Sequence, residues 1–146
     1  MATTSTTATT GMRIVESVSG WPSVESEPHR FGATAFVVEN REIGHLHDGR
    51  VLDINLPKRV KDCLLADGHT DEHRFAGGGW TTYRIDPNEE IDHALWLCRL
   101  SYLYTLLTMR RKPVGRAILA DLDLDAELEQ LDPDPEIRAI FDRMRS

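Results

Sequence analysis

The stretch Gly44–His45–Leu46–His47–Asp48–Gly49 sets two imidazoles two residues apart, immediately before a turn signal. On an extended strand such a pair projects from one face. Three chemistries suit it: two ligands of one metal, a general base beside a substrate-anchoring partner, or a neutral core histidine bonded to a neighbour. His73, in a following loop, and His93, on a predicted helix, are the residues that would complete a metal set, though no spacing in the chain fixes one. Trp80 follows Gly77–Gly78–Gly79, which suits either the lip of a pocket or a bulge before an ordinary strand. The glycines match neither dinucleotide nor nucleotide phosphate loops. Arg99 lies on an otherwise apolar helix, so it either snorkels to water or finds an acid, with Asp53 and Glu42 the candidates.

The elements that must carry these residues read as follows. Gly11 to about Ser19 predicts a short helix ended by Trp21–Pro22. From Phe31 to Leu56 the apolar period is two, which predicts strands, with turns at Asn40–Arg41 and Asp48–Gly49. Those turns pair Val38 with Ile43, Phe36 with His45 and Thr34 with His47, then His47 with Arg50, His45 with Leu52 and Ile43 with Ile54. His45 is thereby expected on a buried face with Phe36, Val38, Leu52 and Ile54, and His47 at its rim. The opposite face would hold Ala35, Val37, Gly44, Leu46, Val51 and Asp53. Between Phe36 and Leu52, desolvation would keep His45 neutral, the form that accepts a proton.

A helix over about Pro57–Asp67 follows, with Gly68 just past its end, then a loop and a strand, Trp80–Ile85. Asp86–Pro87–Asn88–Glu89 offers a capping acid, a first-turn proline and a glutamate three residues on, and predicts a long helix from Pro87 to about Arg110. That helix is apolar all round, with Trp96, Tyr102 and Tyr104 among its residues, so it needs a second cover beyond the sheet. The C-terminal segment is one cover; a homodimer through the long helix is the other. Arg110–Arg116 is a basic connector, and Asp121–Glu136 holds eight acids and no Lys or Arg. A final helix is predicted from Pro135 with Asp134 as its cap. The fold class expected is α+β: an antiparallel sheet of about four strands under a long helix, with an N-terminal helix and a helical C-terminal extension.

The chain has 146 residues and a net charge of −7. That balance disfavours a general nucleic-acid binder, although Lys58, Arg59, Lys61 and the Arg110–Arg116 cluster could form a local basic patch. The most apolar stretch, Ala94–Leu107, is short for a bilayer and contains Arg99, so no membrane association is expected. Residues 1–10 are Thr-rich, without the basic and apolar regions of a secretory signal, and are expected to form a disordered tail. Cys63 and Cys98 show no paired spacing and read as buried thiols in a reducing cytoplasm.

The runs REIGHLHDGRVLDINLPKRVKDCLLADG, GGWTTYRI and DHALWLCRLSYLY resemble the luciferase-like domain family across about Phe31–Tyr104. The marks are E-x-G-H-x-H, the D-x-x-L-P step into a helix, the Gly–Trp strand and A-L-W-L-x-R-x-x-Y. The resemblance implies one such domain over 11–109, with 110–146 as an extension. Its fungal members resemble oxygenases that act on a hydroxy-pyrone without flavin or metal. The expectation is therefore a small-molecule pocket between sheet and long helix, with cofactor-independent oxygenation or proton transfer. His45, His47 and Arg99 would be catalytic, and Phe36, Trp80, Trp96 and Tyr102 would bind substrate. No cofactor is expected, metal through His45 and His47 being the less favoured reading. The element order also resembles small double-wing proteins, and the alternative is a non-enzymatic DNA- or protein-binding module.

Overall fold

The computed structural model describes residues 9–28, 32–73 and 78–145. The Thr-rich tail through residue 8 and Gly77 lie outside them. Helix α1 spans Thr10–Ser19, with the Thr9 side chain accepting from the Met12 N–H. Strands β1 (Val24–Pro28), β2 (Thr34–Val38), β3 (Arg41–His47) and β4 (Val51–Asn55) follow, then α2 (Lys58–Ala66), a two-residue β5 (Asp71–Glu72) and β6 (Trp80–Arg84). The helices α3 (Asp92–Thr108), α4 (Pro113–Asp121), α5 (Leu124–Leu131) and α6 (Pro135–Met144) complete the described chain.

The class is α+β, as the sequence predicts, but among the described residues the sheet has six strands, in the order β1-β2-β3-β4-β6-β5, every pair antiparallel. The two extra strands are the edges. In β1, only Val24 of Val24–Glu25–Ser26–Glu27–Pro28 is buried, and β5 is exposed at both residues. Short, charged edges resist further pairing and carry no apolar alternation to read.

All six helices supply side chains to one core: Ile14 and Val18, Val60 and Leu64, the α3 leucines, Ile118, Leu124 and Leu128, Ile137 and Phe141. The sheet contributes Phe36, Leu46, Leu52 and Ile54 from one face. The cover that α3 requires is supplied by the chain's own C-terminal helices. Leu128, Ile137 and Phe141 are fully buried, and Trp96 Nε1 donates to the Leu131 carbonyl at 2.8 Å. Asp134 caps α6 as expected, accepting from the Glu136 N–H.

Two expectations need correction. The long helix begins at Asp92, not Pro87. Asp86 accepts from Asn88 N–H and Glu89 N–H, but caps a turn that stops there. Ile85 and Ile91 are both buried, so the chain bends between two anchors. The strand register is also shifted by one. The observed pairs are Ala35 with His45, Thr34 with Leu46, His45 with Asp53 and His47 with Val51. The first turn centres on Glu39–Asn40, with Glu39 at φ 55°. At the second, Asp48 and Gly49 take the positive φ angles expected, but pairing resumes only at Val51. The Arg50 carbonyl instead accepts from the Ile85 N–H at 2.7 Å. A shift of one moves every side chain to the other face, so His45 leaves the Phe36–Leu52 face.

Candidate functional site

Strand alternation places Ala35, His45, His47, Asp53, Trp80 and Thr82 on the face turned away from the helices. Glu42 joins them through a β-bulge. Phe36 pairs with Gly44 but Val37 pairs with Glu42, leaving Ile43 as the extra residue. Ile43 turns into the core, fully buried, while Glu42 falls beside His45. Bulges re-aim side chains in this way beside functional sites.

Asp53 is the centre. It is 3% exposed, and its Oδ2 lies 3.1 Å from His45 Nε2, 3.0 Å from His47 Nε2 and 3.4 Å from His73 Nε2. Its other oxygen accepts from the Thr82 hydroxyl at 2.7 Å. His45 Nδ1 lies 2.9 Å from Glu42 Oε2. Trp80 closes one side, its ring centroid 5.2 Å from that of His45 and 6.2 Å from that of His73. The His45 and His47 rings meet edge to face at 4.8 Å. His47 is the more open to solvent, with a third of its side chain exposed.

The electrostatics follow from burial and pairing. Burial alone would lower the His45 pKa, but hydrogen bonds to Asp53 and Glu42, with their charges, outweigh it and raise the pKa to about 9. For Asp53, burial pushes upward, and it is overcome by the hydrogen bonds from His45 and Thr82 and the nearby His73 and His45 charges. The result is a pKa of about 2. His45 is therefore a cation at neutral pH between two carboxylates, not the neutral imidazole expected between Phe36 and Leu52. One ligand atom from each of His45, His47 and Asp53 also lies within 4.8 Å of the others, a spacing that can hold a metal ion.

The structure brings together only part of the sequence-predicted set. His45, His47 and Trp80 converge, with His73 from the loop. Phe36 is fully buried in the core. Arg99 pairs with Glu127 at 2.8 Å and lies over the Trp21 and Tyr102 rings, so neither Asp53 nor Glu42 is its partner. Tyr102 is fully buried, its hydroxyl donating to the Pro22 carbonyl at 2.8 Å. Trp96 stacks on His93 at 5.5 Å in the helical layer, and His93 Nε2 lies 2.7 Å from the His69 carbonyl oxygen. A pocket between sheet and long helix lined by His45, His47, Trp80 and Arg99 is thus not what these residues form. The site is built on the opposite sheet face.

Sequence reasoning placed Asp53 across the sheet from the histidines and did not single out Thr82. The available signal was an acid inside the apolar run Val51–Leu52–Asp53–Ile54, since a carboxylate buried in a strand needs partners. Of the basic residues considered for a phosphate backbone, Lys61 is 4% exposed and holds Glu72 Oε1 at 2.9 Å and the Gly78 carbonyl at 3.0 Å. Among the described residues, no helix is long and apolar enough to cross a membrane.

A search of curated proteins gives no match. Residues 40–101 match the family model of the Luciferase domain, a span that contains Glu42, His45, His47, Asp53, His73, Trp80 and Thr82. The histidine cluster thus lies within the span that is similar to the Luciferase domain.

Proposed function

We propose that the histidine face is a binding and reaction site for a flat, conjugated hydroxy compound. Trp80 stacks on the ring, and the imidazoles around Asp53 contact its oxygens. Proton transfer or oxygenation at that compound is the chemistry the residues fit. The observation that carries this reading is the gathering of three imidazoles and an indole around one buried carboxylate. They sit on a face that the core does not use. Buried ionic groups do little for stability relative to apolar residues of similar volume, so a cluster of this kind points to function. Arg99 has no part in it, because Glu127 holds it in the helical layer.

The alternative is a DNA- or protein-binding module. Lys61, one of its expected phosphate contacts, is instead buried against Glu72. Calorimetric titration with a series of hydroxy-pyrones and hydroxy-arenes tests the proposal. At least one compound is expected to bind, with affinity about tenfold lower in Trp80→Ala, the size of a lost aromatic stack. No binding across the series, or binding unchanged in both Trp80→Ala and His47→Ala, would overturn it.

A further inference from the structure

We propose that His45, His47 and Asp53 bind a divalent first-row transition ion such as Zn2+ or Fe2+, with His73 as a fourth ligand. This rests on the reading of the same face as the functional site and adds to it the ion that the site takes.

The geometry carries the inference. Two imidazoles and one carboxylate on a single face are a recurring donor set for such ions, and they leave positions open for a further ligand. Ligands about 2.0–2.2 Å from a metal lie roughly 3–3.4 Å from one another around it. The three Nε2 atoms stand 3.0, 3.1 and 3.4 Å from Asp53 Oδ2. The atoms offered by His45, His47 and Asp53 all fall within 4.8 Å, so small ring rotations close the remaining gap.

The surroundings are those of a ligand set. Metal-bound imidazoles and carboxylates usually hold their second polar atom in a hydrogen bond, which fixes the first. Glu42 holds His45 Nδ1 at 2.9 Å, and the Thr82 hydroxyl holds Asp53 Oδ1 at 2.7 Å. Both orient Nε2 and Oδ2 toward the same point. The bulge at Ile43 is what makes Glu42 available for this.

Hydrogen bonding alone serves the cluster poorly. A carboxylate oxygen has about two lone-pair directions, and three Nε2 atoms face the same Oδ2. The hydrogen bonds from His45 and His47 already fill them, and His73 Nε2 stands farther out at 3.4 Å. A metal ion among them instead takes the nitrogen lone pairs and the carboxylate together, releasing to solvent the Nε2 proton that His45 carries in the metal-free site. Imidazole with carboxylate favours Zn2+ or Fe2+ over the all-oxygen shells of Mg2+ and Ca2+.

The test adds Co2+ or Zn2+ alone to untagged, chelator-treated full-length protein, with no organic ligand present. One ion per chain is expected by calorimetry, with visible d–d absorption from Co2+ that is lost in His47→Ala and much weakened in His73→Ala. Both variants alter the partly exposed rim and are checked for native circular dichroism. Histidine ring NMR of the wild-type protein gives a reading that needs no variant: Zn2+ should shift the His45 and His47 Nε2 resonances. No uptake, or uptake unchanged in both variants with no shift of those resonances, would overturn the metal site. Because no hydroxy compound is used, that failure would leave the small-molecule reading standing, and failure of the compound series would leave the metal site standing.

Discussion

Glu42 and His45 are three residues apart on one strand, yet their side chains meet on one face at 2.9 Å. A regular strand would send them to opposite faces. The bulge at Ile43 removes that half-turn of alternation, buries an isoleucine and aims a carboxylate at Nδ1 of the histidine. Glu42 is thus a positioning residue for His45.

Replacing it tests that role. Glu42→Gln keeps the shape and removes the charge that helps hold His45 near pKa 9. The His45 pKa is expected to fall, as read by ring NMR across a pH series. Metal affinity is expected to fall about 10- to 100-fold, the usual effect of losing an outer partner. An unchanged His45 titration would show that Asp53 alone sets it.

The metal-free protein should show a specific pH profile. The folded His45 pKa lies above its ordinary 6.5, at about 9, so the stability it contributes is complete below 6.5 and lost as pH rises through about 9. The folded Asp53 pKa lies below its ordinary 3.8, at about 2, so its contribution is complete above 3.8 and lost as pH falls through about 2. The two belong to one pair and do not add. Urea midpoints in chelator should fall between roughly pH 6 and roughly pH 10. His45→Gln should flatten that alkaline decline.

Gly44 precedes His45 on β3 and pairs with Ile54 on β4. A Cβ there would stand 2.6 Å from the Asp53 carbonyl oxygen, which is backbone and cannot swing aside. Gly44→Ala is expected to destabilise the domain by about 1–3 kcal/mol. It should also weaken metal uptake, because the strand it displaces carries Asp53. Urea unfolding and the Co2+ titration check the two effects separately.

Arg99 gives the opposite pattern. Its partners are Glu127, Trp21 and Tyr102, all in the helical layer. Arg99→Met should cost about 1–3 kcal/mol through the lost charged hydrogen bond and ring contacts. Metal and ligand binding should be unchanged once the variant is folded. A selective loss of binding would return Arg99 to the site.

Much of the fold is legible in the sequence because its signals are local. Asp134–Pro135 caps α6, Pro57 opens the helix that Gly68 follows, and Asp48–Gly49 adopts its positive φ angles. The site was harder to read because a one-residue error in register reverses both faces. Asn40 resembles a turn residue, yet the turn lies one residue earlier, and Arg50 is diverted to pair with Ile85. The second cause is not local: it depends on a residue more than 30 positions away in sequence. The histidine pair itself was visible as Gly44–His45–Leu46–His47. Its acid, Asp53, was visible as a residue but not as a partner.

The most direct measurement is native mass spectrometry of untagged protein purified without chelator and equilibrated with Zn2+. The account predicts the chain mass plus one ion, with the addition absent in the His45→Ala/His47→Ala double variant. A bare chain mass in the wild type, or the same adduct in the double variant, would contradict the claim that His45, His47 and Asp53 hold a metal ion on this sheet face.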